Sequence, residues 1–135
     1  MSAHDKAIVI PCSGIGKVFG SVGREATYIV VDELRPKMAE TLCLSLLVVG
    51  DQETVERVRG VPCIAVDGCP KACAQKNIEL AGGVSAASLR VVDTYKAHRE
   101  LKPEGVTVLD ESGRKLARFL AQEIASAVDR VVAGR

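Results

Sequence analysis

The chain has no tryptophan, two phenylalanines and two tyrosines, so aromatics make up only 3% of its 135 residues. A core without large rings has to be filled by Val, Leu, Ile and Ala. Charge of one sign is missing as well: 18 basic side chains face 17 acidic ones, for a net charge of +1. That balance excludes the electrostatic footprint of a nucleic-acid or anionic-membrane binder. The longest apolar stretches, such as residues 42–50, fall far short of the about 20 residues a bilayer span needs. Residues 1–6, Met-Ser-Ala-His-Asp-Lys, lead into no apolar segment of the kind that follows the charged start of a signal peptide. A cytoplasmic location with no membrane partner is therefore expected. Histidine is scarce too, and the two present, His4 and His98, sit in polar surroundings where a surface role is the simpler reading.

What remains is 47% hydrophobic and 26% charged, the composition of an ordinary globular chain. Its length suits one domain over residues 1–135 with a substantial core. Five cysteines stand out, at positions 12, 43, 63, 69 and 73. In a reducing compartment an odd set of thiols points to metal ligation or thiol chemistry rather than to a disulfide framework.

Short apolar runs alternate with amphipathic ones. Residues 7–11, Ala-Ile-Val-Ile-Pro, read as a buried strand ending in the turn Cys-Ser-Gly. Val22, Ala26, Ile29, Val30 and Leu34 fall on one helical face, which Pro36 terminates. Residues 42–49 are apolar without a readable period, so a second strand either ends or begins near Cys43. A short helix over 51–58 is capped by Asp51, and Cys-Ile-Ala-Val-Asp at 63–67 forms a third strand. Pro70 is expected at the first position of a helix that Gly82-Gly83 closes. Residues 88–95 predict a fourth strand and 106–110 a short further one. A final helix from about Ser112 carries the stripe Leu116, Phe119, Leu120, Ile124, Ala127, Val128 and Val131. Strands that are apolar throughout, with helices between them, imply a parallel sheet covered on both faces. The expected fold is thus α/β, a Rossmann-like three-layer sandwich with a mostly parallel central sheet of about four strands.

In such sheets ligands gather at the carboxyl ends of the strands. Cys12 and Cys69 each follow a strand and precede a turn, which puts them on that edge. With Pro70 opening a helix, Cys69 becomes its cap, facing unsatisfied N–H groups and the positive end of the helix dipole, both of which favour thiolate. Cys73, four positions on, would share a helix face with it at roughly 5–6 Å between Cβ atoms, a spacing two zinc ligands tolerate. Cys73 serves equally well as a small buried apolar residue. Cys43 joins the site only if its strand ends there, and a cysteine inside an apolar strand is an equal alternative. Cys63 precedes Cys69 along a strand by roughly 20 Å, too far to share an ion, and is read as a core thiol.

Beside the cysteines, Ser13 lies in a turn that brings backbone N–H groups towards Cys12. Asp67 can orient the loop around Cys69, although an Asp-Gly pair is also plain turn chemistry. Asp93, towards the end of the expected fourth strand, has a weaker claim to the same edge. Glycines 14, 16 and 20 form neither a dinucleotide fingerprint nor a phosphate-binding loop, since Gly16-Lys17 is followed by valine. A phosphatase-type cysteine at 12 lacks the nearby arginine it would need.

The ordered set Cys12-Ser13-Gly14, Leu42-Cys43, Asp67-Gly68-Cys69-Pro70 and Cys73, spread over roughly residues 7–95, resembles the DGC domain, a zinc-binding family named for its Asp-Gly-Cys motif. The resemblance implies that Cys12, Cys43, Cys69 and Cys73 are the four chelators of one zinc ion, and so favours Cys43 as a strand-end residue. Three functions then compete. The first is a closed tetrahedral zinc site with the metal ion as partner. The second is a thiol-redox or metal-delivery protein using Cys69 as a reactive thiolate. The third is an iron–sulfur protein. No acid–base pair points to a substrate.

Overall fold

A computed structural model describes residues 6–12, 18–68, 71–104 and 109–133 of the chain. Strand β1 (Ala7–Pro11) leads to helix α1 (Val18–Ile29), whose end winds on as a π-helical turn over Val30–Leu34. There Arg35 N–H donates to Val30 O at 2.7 Å. Strand β2 (Ala39–Thr41), helices α2 (Leu44–Val48) and α3 (Gln52–Gly60), and strand β3 (Cys63–Asp67) follow. Helix α4 (Cys73–Leu80), strand β4 (Ser85–Arg90) and helices α5 (Val91–Ala97) and α6 (Glu111–Val132) complete the order.

The four strands form one parallel sheet in the order β2-β1-β3-β4. Ala7 to Ile10 and Cys63 to Val66 are fully buried, as central parallel strands sandwiched between helices must be. Alternate side chains serve two cores. Ala7, Val9, Ile64 and Val66 pack towards α1, α5 and α6. Ile8, Ile10, Cys12, Cys63 and Ala65 pack towards α2, α3 and α4. The fold is the expected α/β three-layer sandwich. None of the described helices is long and apolar enough to cross a membrane.

Asp51 caps α3 by accepting from Thr54 N–H at 3.0 Å, and Gly82 takes the positive φ of +88° that ends α4. Three expectations need correction. The fourth strand is Ser85–Arg90, and Val91–Ala97 is helical. The run Leu89-Arg90-Val91-Val92 has no period of its own, but Val91 and Thr94 are buried at helical spacing, and pairing with β3 extends the strand backwards through Ser85-Ala86-Ala87, a stretch of weak strand formers. Asp93 therefore lies exposed in the first turn of α5 rather than at a strand end. Phe119 leaves the buried stripe of α6: it is 39% exposed and stacks on His98, ring centroids 4.0 Å apart. The short strand expected over 106–110 falls mostly outside the described residues, as do His4, Ser13, Cys69 and Pro70.

Candidate functional site

The chain leaves β1 for β2 on one side and returns to β3 on the other. The carboxyl ends of β1 and β3 therefore flank the point where the strand order reverses, the place such sheets open a crevice. Cys12 sits there. Its N–H continues the ladder by donating to Val66 O at 2.9 Å, and its sulfur accepts the N–H of Gly68 at 3.1 Å. The thiol is 6% exposed.

The loop after β3 is held against α1 at backbone distance. A Cβ on Gly68 would stand 2.9 Å from Gly20 N and 3.0 Å from the carbonyl carbon of Phe19. Only glycine allows this approach. The preceding Asp67 is 1% exposed, and its carboxylate accepts from Ala74 N–H at 2.8 Å and Gln75 N–H at 3.3 Å. Those are the second and third residues of α4, the donors that a capping side chain ordinarily satisfies. Asp67 thus caps α4 from the end of β3.

This revises the reading of the Asp-Gly-Cys-Pro segment. Helix α4 begins at Cys73, not at Pro70, and Ala72 before it holds the left-handed conformation at φ 53°. Lys71 and Ala72 are not helical, so the helix does not reach back towards the expected start at Pro70. A remote carboxylate replaces the local cap, which the proline alone could not reveal. Cys73 is partly buried against the core that holds Cys12, Leu44 and Ala74.

Cys43 does lie just past the carboxyl end of β2, and it is the residue that occupies a capping position, that of α2. Its thiol is exposed. The nearby N–H groups of Leu46 and then Ser45 hold it below the ordinary thiol range, although no formed cap hydrogen bond reaches the sulfur. Cys63 is its opposite. It starts β3, pairs in register with Ile8, and is fully buried, with its sulfur 3.4 Å from Val61 O. Burial pushes its pKa up to about 11.

Cys12 and Cys43 line one cleft of about 190 Å³ between α1 and the end of β2, together with Thr41 and Leu44. Two residues without a local signal also line it beside Pro11 and Leu42, namely Arg24 and Tyr28. They are four apart on α1 and so share a face, which was the one available clue. Arg24 Nη2 donates to Ser21 Oγ at 3.1 Å.

Of the four expected chelators, Cys12 and Cys43 share this cleft, Cys73 borders the same core, and Cys69 lies outside the described residues. Among the described residues, no three His, Cys, Asp or Glu side chains stand close enough to hold one ion. No disulfide joins the described cysteines. In donor chemistry the set fits a thiophilic metal: soft sulfur ligands, one of them already receiving a backbone N–H, as ligands at such sites commonly do.

The family model of the DGC domain matches residues 8–118. The match takes in all five cysteines and runs past residue 95 into α6. Neither the curated proteins nor the solved structures hold a match to this chain. With a match over most of its length, the chain belongs to the DGC domain family.

Proposed function

We propose that this DGC-domain protein binds a zinc ion through Cys12, Cys43, Cys69 and Cys73 at the carboxyl edge of its sheet, in a reducing, cytoplasmic setting. The observation that carries the reading is the buried Cys12 sulfur, fixed by the Gly68 N–H in the same cleft as Cys43. Asp67 and Gly68 would hold the loop between β3 and α4 so that Cys69 within it and Cys73 at its end stay near Cys12. A four-thiolate zinc site is coordinatively closed and stores folding energy rather than activating water.

Metal analysis of the purified, untagged chain tests this. About one equivalent of zinc in a colourless protein is expected. Cys12→Ser and Cys43→Ser should each weaken zinc binding at least about tenfold, the lower end of what is lost with a supporting partner alone. Cys63→Ala should leave it unchanged. Visible absorption with iron would replace zinc by an iron–sulfur cluster. A protein that is metal-free and stays so when zinc is supplied would end the reading.

The exposure of Cys43 supports a second reading, thiol chemistry. A lowered pKa means more thiolate at neutral pH. In chelator-treated protein, alkylation of Cys43 by iodoacetamide should therefore reach half its limiting rate at a lower pH than that of a thiol in an unstructured peptide of the same local sequence. Cys63, with its pKa near about 11, should stay unmodified over the same range. Zinc should slow labelling of Cys43 if it is a ligand. Unchanged labelling with zinc bound would favour the thiol reading.

A further inference from the structure

The thiols at the carboxyl edge are held very unequally. Cys12 follows β1, a central strand paired on both sides. Its N–H is tied to Val66 O, its sulfur receives the Gly68 N–H, and it is 6% exposed. Cys73 opens α4, beside the N–H groups that Asp67 caps, and is partly buried. Cys43, by contrast, is exposed. It follows β2, an edge strand of three residues that pairs with β1 alone. After it comes α2, five residues anchored by Leu44 and Leu47, with Leu46 and Val48 exposed. Its side chain makes no cap hydrogen bond there. Short edge segments with few buried side chains open at the lowest free-energy cost in a fold.

We infer that zinc is cargo at this site and leaves by ligand exchange at Cys43, to an acceptor thiolate that enters the cleft between α1 and the end of β2; the inference rests on the four-cysteine reading above.

Three features point to this route. An incoming donor meets the exposed ligand first, and Cys43 can swing away without disturbing the ladder that fixes Cys12. The cleft that Cys12 and Cys43 share measures about 190 Å³, room for several groups the size of a water at roughly 30 Å³. A CH2–S arm therefore fits beside Cys43. Finally, an ion held by soft sulfur ligands is best contested by another soft donor, which makes the acceptor a thiolate. In the exchange the acceptor sulfur bonds to the ion as the bond from Cys43 to the ion breaks. The proton lost by the acceptor thiol passes to solvent, and the freed Cys43 thiolate regains one from it. No electrons move. Further acceptor thiolates displace the other ligands in turn, with the enclosed Cys12 last.

The test follows zinc loss from the loaded full chain by native mass spectrometry, with EDTA as the final trap. Rising concentrations of reduced glutathione, or of a metal-free peptide with four cysteines, supply the acceptor thiol. Zinc loss should be slow in EDTA alone and should speed up in proportion to the thiol added. Reloaded Cys43→Ser should raise that slope at least about tenfold, because no sulfur has to leave there. Cys73→Ser, which removes a partly buried ligand, should raise it less. Thr41→Trp fills the cleft beside Cys43 without removing a donor, so it should lower the slope while zinc content stays the same. If Thr41→Trp does not fold, the comparison of the two cysteine variants still decides. Response to the peptide alone would assign the acceptor to a protein cysteine; response to glutathione, alone or as well, would assign it to a free thiol. Zinc loss independent of thiol concentration, or equal slopes for Cys43→Ser and Cys73→Ser, would overturn the inference and leave the zinc site standing. A chain that never takes up zinc would end both.

Discussion

Gly68→Ala should destabilise the protein by about 2–4 kcal/mol, the upper range for forcing atoms into a packed interior, and should lower its metal content with it. The new methyl would stand 2.9 Å from Gly20 N, 3.0 Å from Phe19 C and 3.1 Å from Phe19 O. All three are backbone atoms, so no flexible side chain can swing away. Either the loop after β3 or the start of α1 must shift. A shift of the loop also draws the Gly68 N–H away from the Cys12 sulfur, a bond now 3.1 Å long. The usual gain of about 0.4–1 kcal/mol from removing a glycine's freedom in the unfolded chain is smaller than this cost. Urea unfolding of the variant, paired with zinc analysis, measures both effects. A variant within about 0.5 kcal/mol of the parent would show that the contact between β3 and α1 is loose.

Asp67→Ala should cost about 3–4 kcal/mol. The substitution strands two N–H groups at the start of α4, that of Ala74 buried and that of Gln75 partly buried. Each unsatisfied buried donor costs roughly 1–3 kcal/mol, and the favourable placement of a negative charge at a helix N-terminus is lost as well. Asp67→Asn keeps one acceptor oxygen and should lose roughly half as much. Hydrogen exchange separates a local effect from a global one: the amides of Ala74 and Gln75 should lose protection in Asp67→Asn while those of β1 keep theirs. Equal loss in both places would mean that Asp67 supports the sheet rather than the helix. Because α4 begins at Cys73, loss of the cap should also free that thiol, seen as faster alkylation of Cys73.

These two neighbours explain why the segment Asp-Gly-Cys-Pro looked different in sequence. The pattern rightly indicated a strand end, a turn and a helix, since β3 is uninterruptedly apolar and α4 has its amphipathic spacing. It assigned the cap to Cys69 because capping signals are sought within a residue or two of the helix. The group that performs it lies seven residues before Ala74 in the chain, and it reaches the helix only because β3 aims it there. Cys43 shows the complementary case. Its place after β2 became clear once the strand was seen to pair with β1 through Ala39, Glu40 and Thr41, a register that no apolar run without a period can announce. The fourth strand failed for the same reason: a run of valines suits strand and helix alike, and packing of Val91 and Thr94 decided for helix.

The sequence by itself determined the class of fold and the edge of the sheet on which Cys12 lies. Continuous apolar strands demand helices on both faces, and strand-to-helix turns put Cys12 and the Asp67-Gly68 turn at the carboxyl ends. It also separated Cys63 from the rest, because four residues of strand carry that thiol away from the edge. Tertiary structure alone decided which groups meet there: Gly68 N–H with the Cys12 sulfur across 56 residues, Asp67 with the start of α4, and Arg24 with the two cysteines of the cleft. Local patterns report what a residue does to its own turn or strand. These contacts join separate elements, and their geometry exists only once the sheet has set the spacing between them.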